Sequence, residues 1–123
     1  MPAPRHQSGR RAEQLAAEFL AAQGLEILAR NYRRRLGELD IIARSAGVLV
    51  IAEVRTRSSD CFGGAAASVD PAKQRRIIRA AQQLLQQRRD LAQLAVRFDV
   101  LVVSGLDLPA PRIEWIRHAF EAR

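Results

Sequence analysis

Aromatic side chains are scarce in this sequence, and cysteine and lysine occur once each. Each shortage excludes something. With only 5% Phe, Trp and Tyr, a surface on which successive bases stack is not expected. A lone cysteine, Cys61, can build neither an internal disulfide framework nor a multi-cysteine zinc site. It has no His or Asn near it in sequence, so a cysteine nucleophile is not expected either. His6 and His118 fall in no metal-ligand spacing, which speaks against zinc. No apolar run approaches the ~20 residues of a membrane span. Residues 1–11 are polar and basic with no signal-type apolar segment behind them. There is no Walker A loop and no G-x-G-x-x-G. Together these absences point to a cytoplasmic protein that does not engage membranes.

What is present is a chain of 123 residues, 48% hydrophobic and 27% charged, long enough for one domain with a real core. Its net charge is +7, and of its 20 basic residues only Lys73 is a lysine. Such an excess suits a polyanionic partner such as nucleic acid, and the arginine fork suits phosphate. It equally suits a coding bias towards Arg combined with a need for solubility.

Residues 1–9 read as a loose arm, leaving 10–123 as the folded domain. Ala12, Leu15, Ala16, Phe19 and Leu20 follow helical spacing, and Gly24 is placed to end that helix. Residues 25–33, 38–44 and 48–55 are strand candidates, the last almost continuously apolar and therefore central. Arg33 to Arg35 and Gly37 form a basic turn, and Ser45 to Gly47 suggest a hairpin. Residues 58–68 are small and flexible in character. Asp70-Pro71 then supplies an N-cap and an N1 proline for a helix to about Asp90, with Ile77, Ile78, Ala81, Leu84 and Leu85 as its apolar stripe. Residues 96–103 form a fourth strand, and 112–120 a short closing strand or helix. The order α-β-β-β-α-β indicates an α/β fold, a single domain with a mixed β-sheet flanked by helices.

The informative oddity is acid inside apolar strands. Asp40 lies in LDIIA and Glu53 in VIAEV. A buried, unpaired carboxylate costs several kcal/mol unless it is protonated, hydrogen-bonded or bound to a cation. If the hairpin loop has an even number of residues, Asp40 faces Glu53 and Glu38 faces Arg55. A three-residue loop would send Glu53 to the other face. The even loop is expected, because it gathers Glu38, Asp40, Glu53 and Arg55 together. Two adjacent carboxylates repel, and a divalent cation such as Mg²⁺ or Mn²⁺ relieves that while taking water or phosphate as its remaining ligands. It would polarise a phosphoryl oxygen and activate water. Arg55 is placed to orient that water and stabilise developing charge. Surface salt bridges of these acids with Arg44, Arg55 or Arg57 account for the same spacing.

Other residues carry weaker signals. Arg75, Arg76 and Arg79 lie on or beside one face of the second helix and can track a phosphate backbone, as can Arg33 to Arg35. A solvated helix face reads the same way. Arg57 shares the strand phase of Arg55 and is placed for a scissile phosphate. Asp99, among apolar residues in FDVLVV, is placed to pair with an Arg on the sheet or to cap the edge of the site, and the structural role is the one expected. Trp115 and Phe120 are expected in the core or at an interface.

The runs GRRAEQLAAEFLAAQGLEILARNYRRRLGELDIIA, VLVIAEVRTR, VDPAKQRRI, RFDV and IRHAF resemble the YraN family of uncharacterised bacterial proteins, over about Gly9 to Phe120. The resemblance implies a restriction-endonuclease-like fold, similar to archaeal Holliday-junction resolvases, and a nuclease site of the D…ExK kind. Asp40 matches the aspartate of G-E-(I/L)-D and Glu53 the glutamate of E-V-K, both as metal ligands with the Val54 carbonyl as a third. Glu13 matches a glutamate that points towards the metal in resolvase-like sites. The family pattern has Lys where this chain has Arg55, and an arginine stays protonated, so it cannot act as a general base. Lys73 matches the lysine that begins the second-helix basic run, and a phosphate contact is its implied role. The expected function is a Mg²⁺-dependent endonuclease acting on DNA, branched or otherwise structured. The alternatives are a catalytically weak nucleic-acid-binding module of the same fold and a protein-interaction subunit. A junction-cutting enzyme needs two sites, so a homodimer is the matching expectation.

Overall fold

The computed structural model describes residues 4–57 and 69–122, with side chains from residue 9 onward. The element order is α1 (Pro4–Ala22), β1 (Glu26–Arg34), β2 (Gly37–Ser45), β3 (Val48–Arg57), α2 (Pro71–Gln87), β4 (Ala95–Ser104) and β5 (Arg112–Phe120). A short 3-10 turn, Arg89–Leu91, follows α2. The five strands form one mixed sheet in the order β1-β2-β3-β4-β5. Only β3 and β4 are parallel, and α2 lies in the connection between them. A parallel pair needs such a crossover. The closing segment, left open between strand and helix by its sequence, is strand β5, antiparallel to β4.

Two apolar cores flank the sheet. Ala12, Ala16, Ala17 and Leu20 of α1 pack on Ile41, Ala43, Val50, Ala52, Leu101 and Val103. Ile77, Ala80, Ala81 and Leu84 of α2 pack on Leu39, Ile42, Leu49, Ile51, Val100 and Val102. With helices on both faces, β3 and β4 are apolar at successive positions, as their sequences show.

Local signals in the sequence set most element ends. Gly24, at φ 95°, ends α1 in a Schellman arrangement: the Leu25 amide donates to the Leu20 carbonyl and the Gly24 amide to Ala21. Leu25 and Leu20 both enter the α1-side core. At the start of the second helix, Asp70 accepts the Lys73 amide at 2.9 Å and Pro71 opens α2. The β2–β3 loop is the two residues Ala46 and Gly47, with Ser45 paired to Val48. Ala46 takes the left-handed conformation (φ 52°) that such tight hairpin loops demand at their first position.

Two boundaries differ from the sequence reading. Helix α1 begins at Pro4 rather than near Arg10. Helix α2 stops at Gln87 rather than running to about Asp90. The chain leaves the helix there so that Leu91, 1% exposed, enters the core, while Arg88 forks onto Asp90 at 2.9 and 2.8 Å. Residues 58–68, including Cys61, and the side chain of His6 lie outside the described residues.

Asp99 is structural. It is wholly buried, and its carboxylate accepts both arms of Arg97, the Trp115 indole N–H and the His118 amide, all within 2.9–3.0 Å. This network stitches a bulge where the β4–β5 register shifts between Phe98 and Val100 and His118 adopts φ 54°. Trp115 also meets Phe19 edge-on, and Phe120 stacks on Phe98. Removing the guanidinium leaves a buried carboxylate without its counter-charge. Arg97→Ala is expected to destabilise the fold by about 3 kcal/mol in urea unfolding; a loss within about 0.5 kcal/mol, the usual range for surface substitutions, would show that the two N–H donors suffice.

Candidate functional site

The β2–β3 ladder runs from Ser45–Val48 to Ile41–Ala52 and stops there. Continued by one position, the same register sets Asp40 opposite Glu53, as the even loop requires. Instead of a ladder bond, the Val54 amide donates to Asp40 Oδ2 at 2.9 Å. On the other side of β2, Asn31 of β1 takes a left-handed φ of 53° opposite Asp40, within a ladder that pairs Arg30 with Ile41 and Tyr32 with Leu39. The local irregularity therefore sits at the acid.

Glu53 is 4% exposed, and Lys73 Nζ lies 2.7 Å from its Oε2. Helix α2 brings Lys73 there from its first turn. The approach depends on Gly37, because a Cβ at that position would stand 2.7 Å from the Arg76 carbonyl oxygen. A cleft of about 240 Å³ results, lined by Glu38, Asp40, Glu53, Lys73, Arg76 and Ile77. A larger groove, about 320 Å³, lies where α2 passes Phe98 and Phe120. Its walls are mainly apolar and no carboxylate pair converges there, so the candidate chemistry belongs to the smaller cleft.

Burial pushes the Glu53 carboxyl up to about 7, and the charge of Asp40 adds to the rise, against the opposing pull of Lys73. Asp40 is also raised, first by burial, with the Val54 amide and Lys73 pulling it down and Glu38 pushing it up. Each carboxyl acts on the other: Asp40 raises Glu53, and Glu53 pulls Asp40 down. Near neutrality Glu53 therefore holds its proton more readily than an exposed carboxyl does, which limits its repulsion with Asp40.

The other sequence candidates fall in several places. Glu13, half-buried on α1, does not line the cleft, yet it senses it: its carboxyl is raised by burial and then by the charge of Asp40. Arg55 is half-exposed on β3, two residues beyond Glu53, and makes no ion pair with either acid. Arg57 is half-exposed at the end of the same strand. Arg76 reaches the cleft, whereas Arg75 and Arg79 are exposed on α2 outside it. Glu38 lines the cleft and also meets Arg33 at 3.3 Å. Two features escape a reading of the sequence. One is the direct contact of Lys73 with Glu53, and the other is the role of Gly37 in seating α2. The isolation of Lys73 among arginines is a signal for the first; nothing local signals the second.

Fold and site together define an α/β protein with one mixed five-stranded sheet and an acidic pair, buried Glu53 beside half-buried Asp40, with a lysine against Glu53 in a small cleft. Comparison with known proteins takes this further. The chain belongs to the uncharacterised protein family UPF0102, whose profile matches residues 12–103. It is 47% identical over 121 residues to a UPF0102 protein of Alkalilimnicola ehrlichii, spanning 98% of this chain and 92% of that one. It is 50% identical over 120 residues to the UPF0102 protein BAV3162 of Bordetella avium, spanning 98% and 79% respectively. A UPF0102 protein of Saccharophagus degradans is 46% identical, spanning 96% of each. The YraN-like motifs are thus carried by a chain that matches the family along nearly its whole length. Among the described residues no helix is long and apolar enough to cross a membrane.

The raised Glu53 carboxyl has a measurable consequence. Between the ordinary carboxylate range and about 7 the folded chain binds more protons than the unfolded one, so this group's contribution to stability falls as pH rises through that window. Glu53→Gln abolishes the effect. The variant is expected to exceed the wild type in stability at about pH 8, by on the order of 2 kcal/mol, with the gap closing by about pH 4. Denaturant unfolding at both pH values tests this, and an equal gap at the two would exclude Glu53 as the source.

Proposed function

We propose that the protein is a metal-dependent nuclease of restriction-endonuclease-like fold, acting on DNA in the cytoplasm by phosphodiester hydrolysis. The observation that carries the reading is the opposition of Asp40 and Glu53, two desolvated carboxyls at the point where strand pairing stops and a cleft opens. An acidic pair so placed has a use for a divalent cation that a surface salt bridge would not have. Among the described residues no group of three or more His, Cys, Asp or Glu side chains is disposed to hold a metal ion. Two carboxylates nevertheless fit Mg²⁺, which commonly keeps waters and phosphate oxygens as its other ligands. Asp40 and Glu53 would hold it, with the Val54 carbonyl as the third protein ligand suggested by the YraN resemblance. When bound, Mg²⁺ would supply a Lewis acid for the phosphoryl oxygen and a water of lowered pKa.

The chain's own residues do the rest. Asp40 lines the cleft and is oriented there by the Val54 amide. Arg76 lines the cleft and supplies a guanidinium for a phosphate oxygen. Glu13, whose carboxyl feels the charge of Asp40, adds an acidic group on its α1 side. Exposed Arg75 and Arg79 on α2, with Arg33 to Arg35 at the β1–β2 turn, offer charge along which a phosphate backbone can run. If the substrate is a branched DNA with two scissile strands, a homodimer supplies the second site.

Mn²⁺ binding followed by electron paramagnetic resonance tests the metal site without a choice of substrate. The wild type is expected to bind, with the Asp40→Asn, Glu53→Gln double variant at least tenfold weaker. Equal binding by the two proteins would remove the nuclease reading and leave a nucleic-acid-binding module or an interaction subunit. The DNA surface has its own test. Arg75→Ala and Arg79→Ala should each weaken duplex binding regardless of sequence and lower the slope of log affinity against log salt by about 1. An unchanged slope would place the DNA elsewhere.

A further inference from the structure

We propose that Lys73 is the working cation of the acidic cleft: it stands in for a divalent cation against Glu53 in the metal-free protein, and yields that place on metal binding to contact the substrate phosphate. This rests on the metal-site reading above. It moves to α2 a role that the YraN resemblance gives to position 55.

Three observations carry it. The first is contact: Lys73 Nζ lies 2.7 Å from Oε2 of a carboxyl that is 4% exposed, whereas Arg55 makes no ion pair with either acid. The second is position. Lys73 occupies the first turn of α2, three residues after the Asp70 cap, and that turn holds no acidic residue. A cation there opposes the helix dipole, whose positive end lies at the N-terminus. Local helix energetics therefore do not explain the lysine; the acidic pair opposite does. The third is access. The Lys73 side chain is 39% exposed, against 6% for that of Glu53. Its ammonium thus bridges the buried acid and the solvent from which a phosphate would arrive. An ammonium also has more N–H donors than one carboxylate oxygen consumes, and on a flexible stem it can change partners at little steric cost.

The exchange predicts opposite effects on two ligands. Removing a positive charge beside the acids should tighten metal binding, and removing a phosphate contact should weaken DNA binding once metal is present. Lys73→Gln and Lys73→Met should each bind Mn²⁺ about tenfold more tightly than wild type by electron paramagnetic resonance. Each should bind a short DNA duplex several-fold more weakly in saturating Mn²⁺. Arg55→Gln removes a cation that is ion-paired with neither acid and should shift Mn²⁺ affinity less than about twofold. Thermal unfolding checks that both Lys73 variants are folded, and the Met variant keeps the apolar stem if Gln does not fold. If the wild type binds Mn²⁺ and Asp40→Asn does not, yet both Lys73 variants match wild type, the role of Lys73 is overturned and the metal site stands. That role is likewise overturned if Arg55→Gln reproduces the tightening and the Lys73 variants do not. A wild type that binds no Mn²⁺, with or without duplex, overturns the metal site and this inference together.

Discussion

Two carboxyl groups held side by side, Glu53 buried and Asp40 half-buried, are the constraint to which the rest of this cleft answers. Desolvation alone would make both costly, and their mutual repulsion adds to it. The structure answers in three ways at once. The Val54 amide serves Asp40 where the strand ladder would otherwise continue, the raised Glu53 carboxyl takes up a proton more readily, and Lys73 stands against Glu53. Each answer depends on the fold. The amide is free because β2 and β3 stop pairing at Ile41 and Ala52. The lysine arrives because α2 crosses over the same end of β3 and can lie close to the β1–β2 turn, where Gly37 has no side chain to block it.

The contrast with Asp99 gives this arrangement its meaning. Asp99 is the more deeply buried acid, yet its carboxylate accepts four hydrogen bonds, including both arms of Arg97. Charge and lone pairs are answered internally, and the group fixes a bulge. Asp40 and Glu53 have fewer fixed donors, more mutual repulsion and an opening to solvent. One buried acid is closed and structural; the other pair is open and retains capacity for a ligand. Burial of charge alone would not have separated them.

Much of this is legible in the sequence because the relevant physics is local. Hairpin register fixes which acids oppose each other, so the sequence narrows the choice to two loop lengths, and the two-residue loop sets Asp40 opposite Glu53. Asp70-Pro71 and Gly24 mark helix ends through capping chemistry that acts within a turn. Asp99 shares its apolar strand context with Asp40 and Glu53, and the partners that make it structural lie partly in another strand. What is not legible depends on how elements sit across one another. No local pattern says how closely α2 lies over the sheet, so Gly37 reads as a turn glycine and Lys73 as a solvent-facing phosphate contact. The end of α2 lies earlier than its pattern suggests because burial of Leu91, rather than a glycine or proline, terminates it. Strand β5 is ambiguous in sequence because its pairing is interrupted by a bulge that only Asp99, in another strand, explains.

The identity of the cation at position 73 follows from the same contrast. This chain uses arginine at every basic position but one. A guanidinium against Glu53 would fork onto the carboxylate as Arg97 forks onto Asp99, with two parallel bonds that are strong, directional and slow to give up. Such a pair would settle the buried charge permanently and close the cleft to any other cation. An ammonium makes a single, more weakly oriented contact, and its long stem lets it leave without disturbing the helix that carries it. A site whose acids are to be held while empty and released when filled therefore calls for lysine. The one place where this sequence keeps a lysine is also the one place, among the described residues, where its structure sets a cation against an acidic pair that is still open to solvent.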